Sequence, residues 1–110
     1  MPFFMHQWNY KDDQVHAMVS NPQNRSEVVR LATEAFGGKL HHFFFAFGVY
    51  DGVAITEFPD NETATACLMS IMGQGGLVDI VTTVLMTTEE AQSAMTMAHD
   101  VLNPYKKPSC

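Results

Sequence analysis

The spacing of apolar residues along the chain predicts four β-strands. Four segments combine aromatic and β-branched residues with alternation or short apolar runs, and they cover residues 3–9, 39–47, 53–58 and 77–86. In the first strand, alternation places Phe4, His6 and Trp8 on one face, and Phe3 with Met5 on the other. A turn flanked by glycines joins the second and third strands, which predicts a β-hairpin.

Helical periodicity fills the segments between these strands. Asn21 as N-cap and Pro22 as first helical residue predict the start of one main helix, which Gly37 ends. A second main helix follows Asp60 as its N-cap. The apolar stripes that face the core are predicted to be Val28, Leu31, Ala32, Ala35 and Phe36 in the first helix, and Ala64, Cys67, Leu68, Ile71 and Met72 in the second.

Two further helical segments lie outside this pair. Asp12 or Asp13 is predicted to cap a short turn over residues 15–19. After the fourth strand, Thr87 and Glu90 have the spacing of a capping box and introduce a C-terminal helix. The apolar side of that helix is predicted to consist of Ala91, Ala94, Met95, Ala98 and Leu102.

The order of these elements indicates an α+β fold. Strand, helix, strand, strand, helix, strand is the β-α-β-β-α-β order of ferredoxin-like folds, here with a C-terminal helix appended. The chain of 110 residues is predicted to be a single domain, with residues 103–110 as a flexible tail. Because such a sheet carries helices on one face only, a second copy is expected to cover the other face in a homodimer.

Composition and charge narrow the classes of partner and compartment. Twelve acidic and six scattered basic residues give a net charge of -6, which argues against a nucleic-acid-binding surface. We expect no signal peptide and no membrane span, since no apolar run reaches about 18 residues. Cys67 on a buried helix face and Cys110 at the chain end do not suggest a disulfide, so the expected location is cytoplasmic. The eight Phe and eight Met side chains are expected to be buried in a core, in a dimer interface or around an apolar pocket.

Several short motifs resemble the GYD-domain family over about residues 3–95. They are Gly37-Gly38-Lys39-Leu40, Gly48-Val49-Tyr50-Asp51, Ile55-Thr56-Glu57 before Pro59-Asp60, Thr82-Thr83, and Thr88-Glu89-Glu90. The resemblance implies a dimeric α/β barrel of two facing sheets. The wider superfamily contains cofactor-free oxygenases, lactone isomerases, polyketide cyclases, haem-binding proteins and small-ligand sensors. The chain departs from the family pattern at Gly52, where relatives tend to carry an apolar residue, and in a fourth strand without a basic residue.

Histidines are the first candidates for chemistry. His6 shares its strand face with Phe4 and Trp8, so it is either an acid/base catalyst in an apolar surround or a packed, hydrogen-bonded core residue. His41 and His42 are neighbours on a strand, and we expect them to face opposite sides and not to share a metal ion unless the strand bulges. No metal or organic cofactor is expected, although a haem with one axial histidine stays compatible with the sequence.

The remaining candidates lie in the hairpin and the fourth strand. Tyr50 and Asp51 fit a structural turn, with positive φ at the flanking glycines, and Tyr50 also fits a proton donor at a pocket mouth. Asp79 and Glu57 become site candidates only if they are buried. Alternation predicts one face with His41, Phe43, Phe45 and Phe47, and the other with His42 and Phe44.

Two functions fit these features. The first is a homodimeric enzyme, of oxygenase, isomerase or cyclase type, acting on a hydrophobic, aromatic or polyketide-like small molecule by acid/base chemistry without an organic cofactor. The alternative is a non-catalytic ligand-binding or stress-associated accessory protein, which the absence of a coupled nucleophile, base and orienter favours. The catalytic candidates are His6, Tyr50, His41, His42 and Asp79, and the ligand-binding candidates are Trp8, Phe43, Phe45 and Phe4.

Overall fold

The computed structural model describes residues 1–108 of the chain, which contain four strands and four helices. In chain order they are β1 (Phe3–Tyr10), α1 (Asp12–Ser20), α2 (Arg25–Ala35), β2 (Lys39–Phe45), β3 (Gly52–Glu57), α3 (Asn61–Met72), β4 (Leu77–Leu85) and α4 (Thr88–Asp100). The strands form one sheet in the order β2-β3-β1-β4, with antiparallel neighbours throughout. The predicted α+β, ferredoxin-like arrangement is therefore confirmed.

The two faces of the sheet differ in what covers them. The predicted alternation in β1 is confirmed, because Phe4, His6 and Trp8 are buried on the face that carries α2 and α3. On that face the core cluster consists of Phe4, Phe58, Ala64 and Cys67, with Phe36 and Ile71 packed against it. The opposite face, called the open face below, carries no helix of residues 1–108. It consists of Phe3, Met5, Gln7, Lys39, His41, His42, Phe44, Val53, Ile55, Glu57, Val81, Thr83 and Leu85.

Helix α2 begins three residues later than predicted. Its N-cap is Asn24, whose Oδ1 accepts a hydrogen bond from the Ser26 backbone N–H at 3.1 Å. Asn21 instead follows the end of α1, where its N–H donates to the carbonyl of Ala17. The predicted stop is confirmed, because Gly37 adopts a φ of +76° and ends the helix. The predicted caps of α1 are wrong, since Asp12 and Asp13 lie within its first turn and Lys11 precedes it.

The buried stripe of α2 agrees with the predicted stripe only in part, since Phe36 packs against the core as predicted. Val28 and Leu31 are exposed, at 45% and 57%, whereas Thr33 is only 2% exposed. Thr33 Oγ1 donates to the carbonyl oxygen of Val29 at 2.8 Å, so its hydroxyl is buried without losing a hydrogen bond. In α3 the predicted Ala64 and Cys67 are buried, but Met72 is exposed.

A β-bulge in β2 places both neighbouring histidines on the open face. Leu40 pairs with Thr56, and the next paired residue is His42, opposite Ile55. His41 is the extra residue, and its ring lies against Phe3. The predicted opposite orientation is therefore wrong, because a bulge inverts the alternation at one position. The strand also ends at Phe45, so Phe47, predicted to lie on the strand face of Phe43, is an exposed loop residue.

Gly52 is required by the indole that covers it. A Cβ atom at this position would lie 2.3 Å from Cζ2 of Trp8, a distance that atoms do not tolerate. This contact accounts for a glycine at position 52. Neither Gly52 nor Gly48 adopts a positive φ, contrary to the turn predicted from the sequence.

We expect Gly52→Ala to lower the free energy of unfolding by about 1–3 kcal/mol, because the new methyl group forces Trp8 out of its packing. Gly48→Ala is the matched control. A Cβ there meets nothing within 4 Å, so a change within about 0.5 kcal/mol is expected. Urea denaturation followed by tryptophan fluorescence measures both variants, and equal stabilities would contradict the proposed clash.

Candidate functional site

His6 is held in the core by two threonine hydroxyls. Its Nε2 lies 2.8 Å from Thr56 Oγ1 and its Nδ1 lies 3.0 Å from Thr82 Oγ1, so one nitrogen donates and the other accepts. Burial lowers the pKa of His6 to about 4, and the ring is neutral at pH 7. The adjoining cavity has a volume of about 50 Å³, which is room for water but not for an aromatic substrate. This geometry matches a packed core histidine.

The open face carries a histidine that a carboxylate orients. His41 Nε2 lies 2.9 Å from Glu57 Oε1, and the ring is 5.3 Å from that of Phe3. His42 instead stacks on Phe44. A histidine paired with a carboxylate is one half of a general-base arrangement, although no nucleophile accompanies it here. Across residues 1–108, no group of three histidine, cysteine or acidic side chains is arranged to hold a metal ion.

Asp51 ties the hairpin loop to the first strand. Its Oδ2 accepts a hydrogen bond from the Tyr10 backbone N–H at 2.9 Å, and its own N–H donates to the carbonyl oxygen of Trp8 at 2.8 Å. These contacts support the structural interpretation of the Tyr50-Asp51 turn. Tyr50 is half-buried beside it.

Asp79 is exposed, so the burial that would make it a site candidate is absent. It adopts a φ of +54° beside the irregular pairing of β1 with β4, and its Oδ2 accepts a hydrogen bond from Asn9 Nδ2 at 3.3 Å. The predicted catalytic residues are therefore dispersed. His6 lies under the helices, His41 and His42 lie on the open face, and Asp79 lies near one end of β4.

An apolar concavity lies where α1 and the segment leading into α2 meet the hairpin loop. This cleft has a volume of about 390 Å³, within the range of small-molecule sites. Its walls are formed by Tyr10, Val15, Met18, Val19, Pro22, Gln23, Arg25, Phe45, Ala46, Phe47 and Asp51. We refer to it below as the α1 cleft.

Only one of the predicted ligand-binding residues lines the α1 cleft. Phe45 forms part of its wall, and its ring lies 5.9 Å from that of Tyr10. Phe43 packs behind it, between Phe45 and Trp8, at ring distances of 5.6 and 5.5 Å. Phe4 belongs to the helix-side core instead.

A few polar groups interrupt the apolar wall. Burial raises the pKa of the Tyr10 phenol, the Arg25 cation opposes this rise, and the Asp51 carboxylate adds to it. Tyr10 is therefore a neutral hydrogen-bond donor at pH 7. The sequence prediction missed Tyr10 and Arg25. Tyr10 follows Trp8 by two residues and hence shares its strand face, whereas the role of Arg25 depends on where α2 begins.

The longest helix, α4, has 13 residues, and no helix in the described chain has the length and apolar character that crossing a bilayer requires.

Comparisons with known proteins identify the family. Neither the curated proteins nor the solved structures gave a match to this chain. The sequence model described as GYD domain matches residues 4–95, which is most of the 110-residue chain. The protein therefore belongs to the GYD-domain family.

Proposed function

We propose that this protein binds a small, largely apolar molecule in the α1 cleft. The observation that carries the proposal is the cleft itself, an apolar concavity of about 390 Å³ with a few polar groups along its wall. Val19 in its wall is 73% exposed and Phe47 fully exposed, although apolar side chains gain free energy on leaving water. A bound molecule would cover both.

A fluorescent apolar probe tests this proposal. N-phenylnaphthylamine is expected to bind the wild type at one site per chain, with enhanced emission. Val19→Asp places a carboxylate in the cleft wall and is expected to weaken binding at least tenfold, because an apolar ligand cannot compensate its desolvation. Val28→Asp is the matched control, since Val28 is exposed on α2 outside the cleft. Equal binding by both variants would place the probe elsewhere and contradict the proposal.

We also propose that the open face is the interface of a homodimer. Phe44 and Val81 on that face are 59% and 40% exposed, and Phe44 adjoins the half-buried Val53 and Ile55. Helix α4 buries none of its residues, so it does not cover this face. The radius of gyration of 18.1 Å exceeds the value of about 13 Å typical of a compact chain of this length. An extended chain with an apolar sheet face favours a second copy as the cover.

Acid/base catalysis by a histidine has weaker support than binding. His6 has both ring nitrogens hydrogen-bonded and no adjoining space for a substrate. The His41–Glu57 pair is better arranged chemically, but the proposed dimer would pack against its face. The catalytic roles of His41, His42 and Tyr50, and the cytoplasmic location, stay predictions from the sequence.

A further inference from the structure

We propose that the ligand of the α1 cleft carries one anionic group, a carboxylate, and that Arg25 binds it. This inference rests on the proposed function, since it assigns the ligand class of the same site. Arg25 is the first residue of α2 and the only cation in the cleft wall. Arg25 is half-buried, in a wall whose other members are mostly apolar. A charge in this position gains from an opposite charge more than a fully exposed one does.

The guanidinium of Arg25 is available to such a ligand. Within residues 1–108, its side-chain hydrogen bond runs from Nη1 to the neutral Gln23 Oε1, at 3.3 Å. Among the described residues, the ion pairs of arginine are all formed by Arg30, with Glu27 and Glu34. No carboxylate among the described residues pairs with the charge of Arg25. Most of its N–H donors are therefore available to a ligand in the cleft.

Asp51 is the one acidic group among the residues that line the cleft, and it forms no ion pair with Arg25. Its Oδ2 accepts the backbone N–H of Tyr10, which fixes the carboxylate against β1. At the Tyr10 phenol, the charge of Arg25 has a larger effect on the pKa than the charge of Asp51. The neutral Tyr10 hydroxyl adds a second donor near the cation. The side of the cleft formed by Tyr10 and Arg25 thus attracts an anion.

The charge and shape of the site favour a carboxylate over a phosphate. One guanidinium offers two parallel N–H donors, which match the two oxygens and the single charge of a carboxylate. A phosphate would leave a second negative charge without a cation in the cleft. The rest of the ligand would lie on the apolar wall of Val15, Met18, Val19 and Phe45. A medium-length aliphatic or aromatic carboxylic acid has both parts.

Displacement of bound N-phenylnaphthylamine by decanoate and by decanol tests the charge requirement, because the two compounds share chain length and differ in the head group. On the wild type, we expect decanoate to bind roughly tenfold to a hundredfold more tightly than decanol, as is typical of a hydrogen-bonded charge. Arg25→Gln is expected to abolish this difference and to leave decanol binding unchanged. Arg25→Lys, which keeps the charge but loses the paired donors, should retain part of it.

Arg30→Gln is the matched control, since Arg30 lies on the exposed side of α2 and outside the cleft, and it should retain the full preference for decanoate. Equal displacement of the probe by decanoate and decanol, or no displacement by either, would overturn the assignment of a carboxylate. Neither of those two results would contradict the proposed apolar site, because the probe itself still binds. If the probe does not bind at all, the proposed function fails first.

Discussion

Lowering the pH from 7 to 4 is expected to reduce the free energy of unfolding by about 3 kcal/mol through His6 alone. The pKa of His6 is about 4 in the folded protein, below its ordinary value of 6.5 in an unfolded chain. The unfolded state therefore binds the proton first as the pH falls. The loss begins near pH 6.5, continues down to about pH 4, and stops below that value. Urea denaturation at fixed protein concentration across this range measures it.

Comparison with a variant separates His6 from the carboxylates that also titrate in acid. His6→Gln keeps a polar side chain between Thr56 and Thr82 but cannot take up the proton. We expect it to be less stable than the wild type at pH 7 and to approach wild-type stability as the pH falls to 4. His16→Gln is the control, because His16 is exposed on α1, and its curve should follow that of the wild type. A constant difference between His6→Gln and the wild type would show that the folded and unfolded states protonate His6 alike, and it would contradict the lowered pKa.

Ile55→Asp is expected to convert the proposed dimer into a monomer, with at least a hundredfold loss of association. Ile55 lies in the middle of β3 on the open face, between Met5 and His42 in the pairing register. In a twofold dimer the substitution occurs twice, and each carboxylate would lose its water in an apolar interface without a partner. Sedimentation equilibrium should give twice the chain mass of 12.3 kDa for the wild type, and the chain mass itself for the variant.

Leu31→Asp provides the control for this experiment. Leu31 is 57% exposed on α2, on the side of the sheet opposite to the proposed interface. We expect this variant to remain a dimer. A wild type that sediments as a monomer would refute the dimer, and a dimeric Ile55→Asp variant would show that the copies associate through another surface.

The elements that the sequence predicted correctly are those in which a local signal and burial agree. The alternation of β1, the Asp60 cap and the Thr87 capping box each depend on a few consecutive residues, and all three are present in the structure. The start of α2 was mispredicted because Asn21-Pro22 is itself a good helix start. Its buried stripe was mispredicted because apolar spacing cannot show that the Thr33 hydroxyl bonds to the preceding turn.

The candidate site was harder to predict than the fold. The α1 cleft joins Tyr10, Arg25 and Phe45, which come from three elements and are brought together only by the packing of α1 against the hairpin. No spacing rule connects residues so far apart in the chain. Phe43 and Phe45 share one strand face, as the alternation predicted, but only Phe45 lines the cleft.

The bulge in β2 decides which chemistry each face of the sheet presents. If the strand had no bulge and His41 paired with Ile55, every later side chain of the strand would turn over. Phe44 would then point toward Trp8, and Phe43 and Phe45 would lie on the open face. Deleting His41 would instead remove the bulge and leave the pairing and the faces of His42 to Phe45 unchanged, so the bulge absorbs one residue without changing which surface the aromatic residues face.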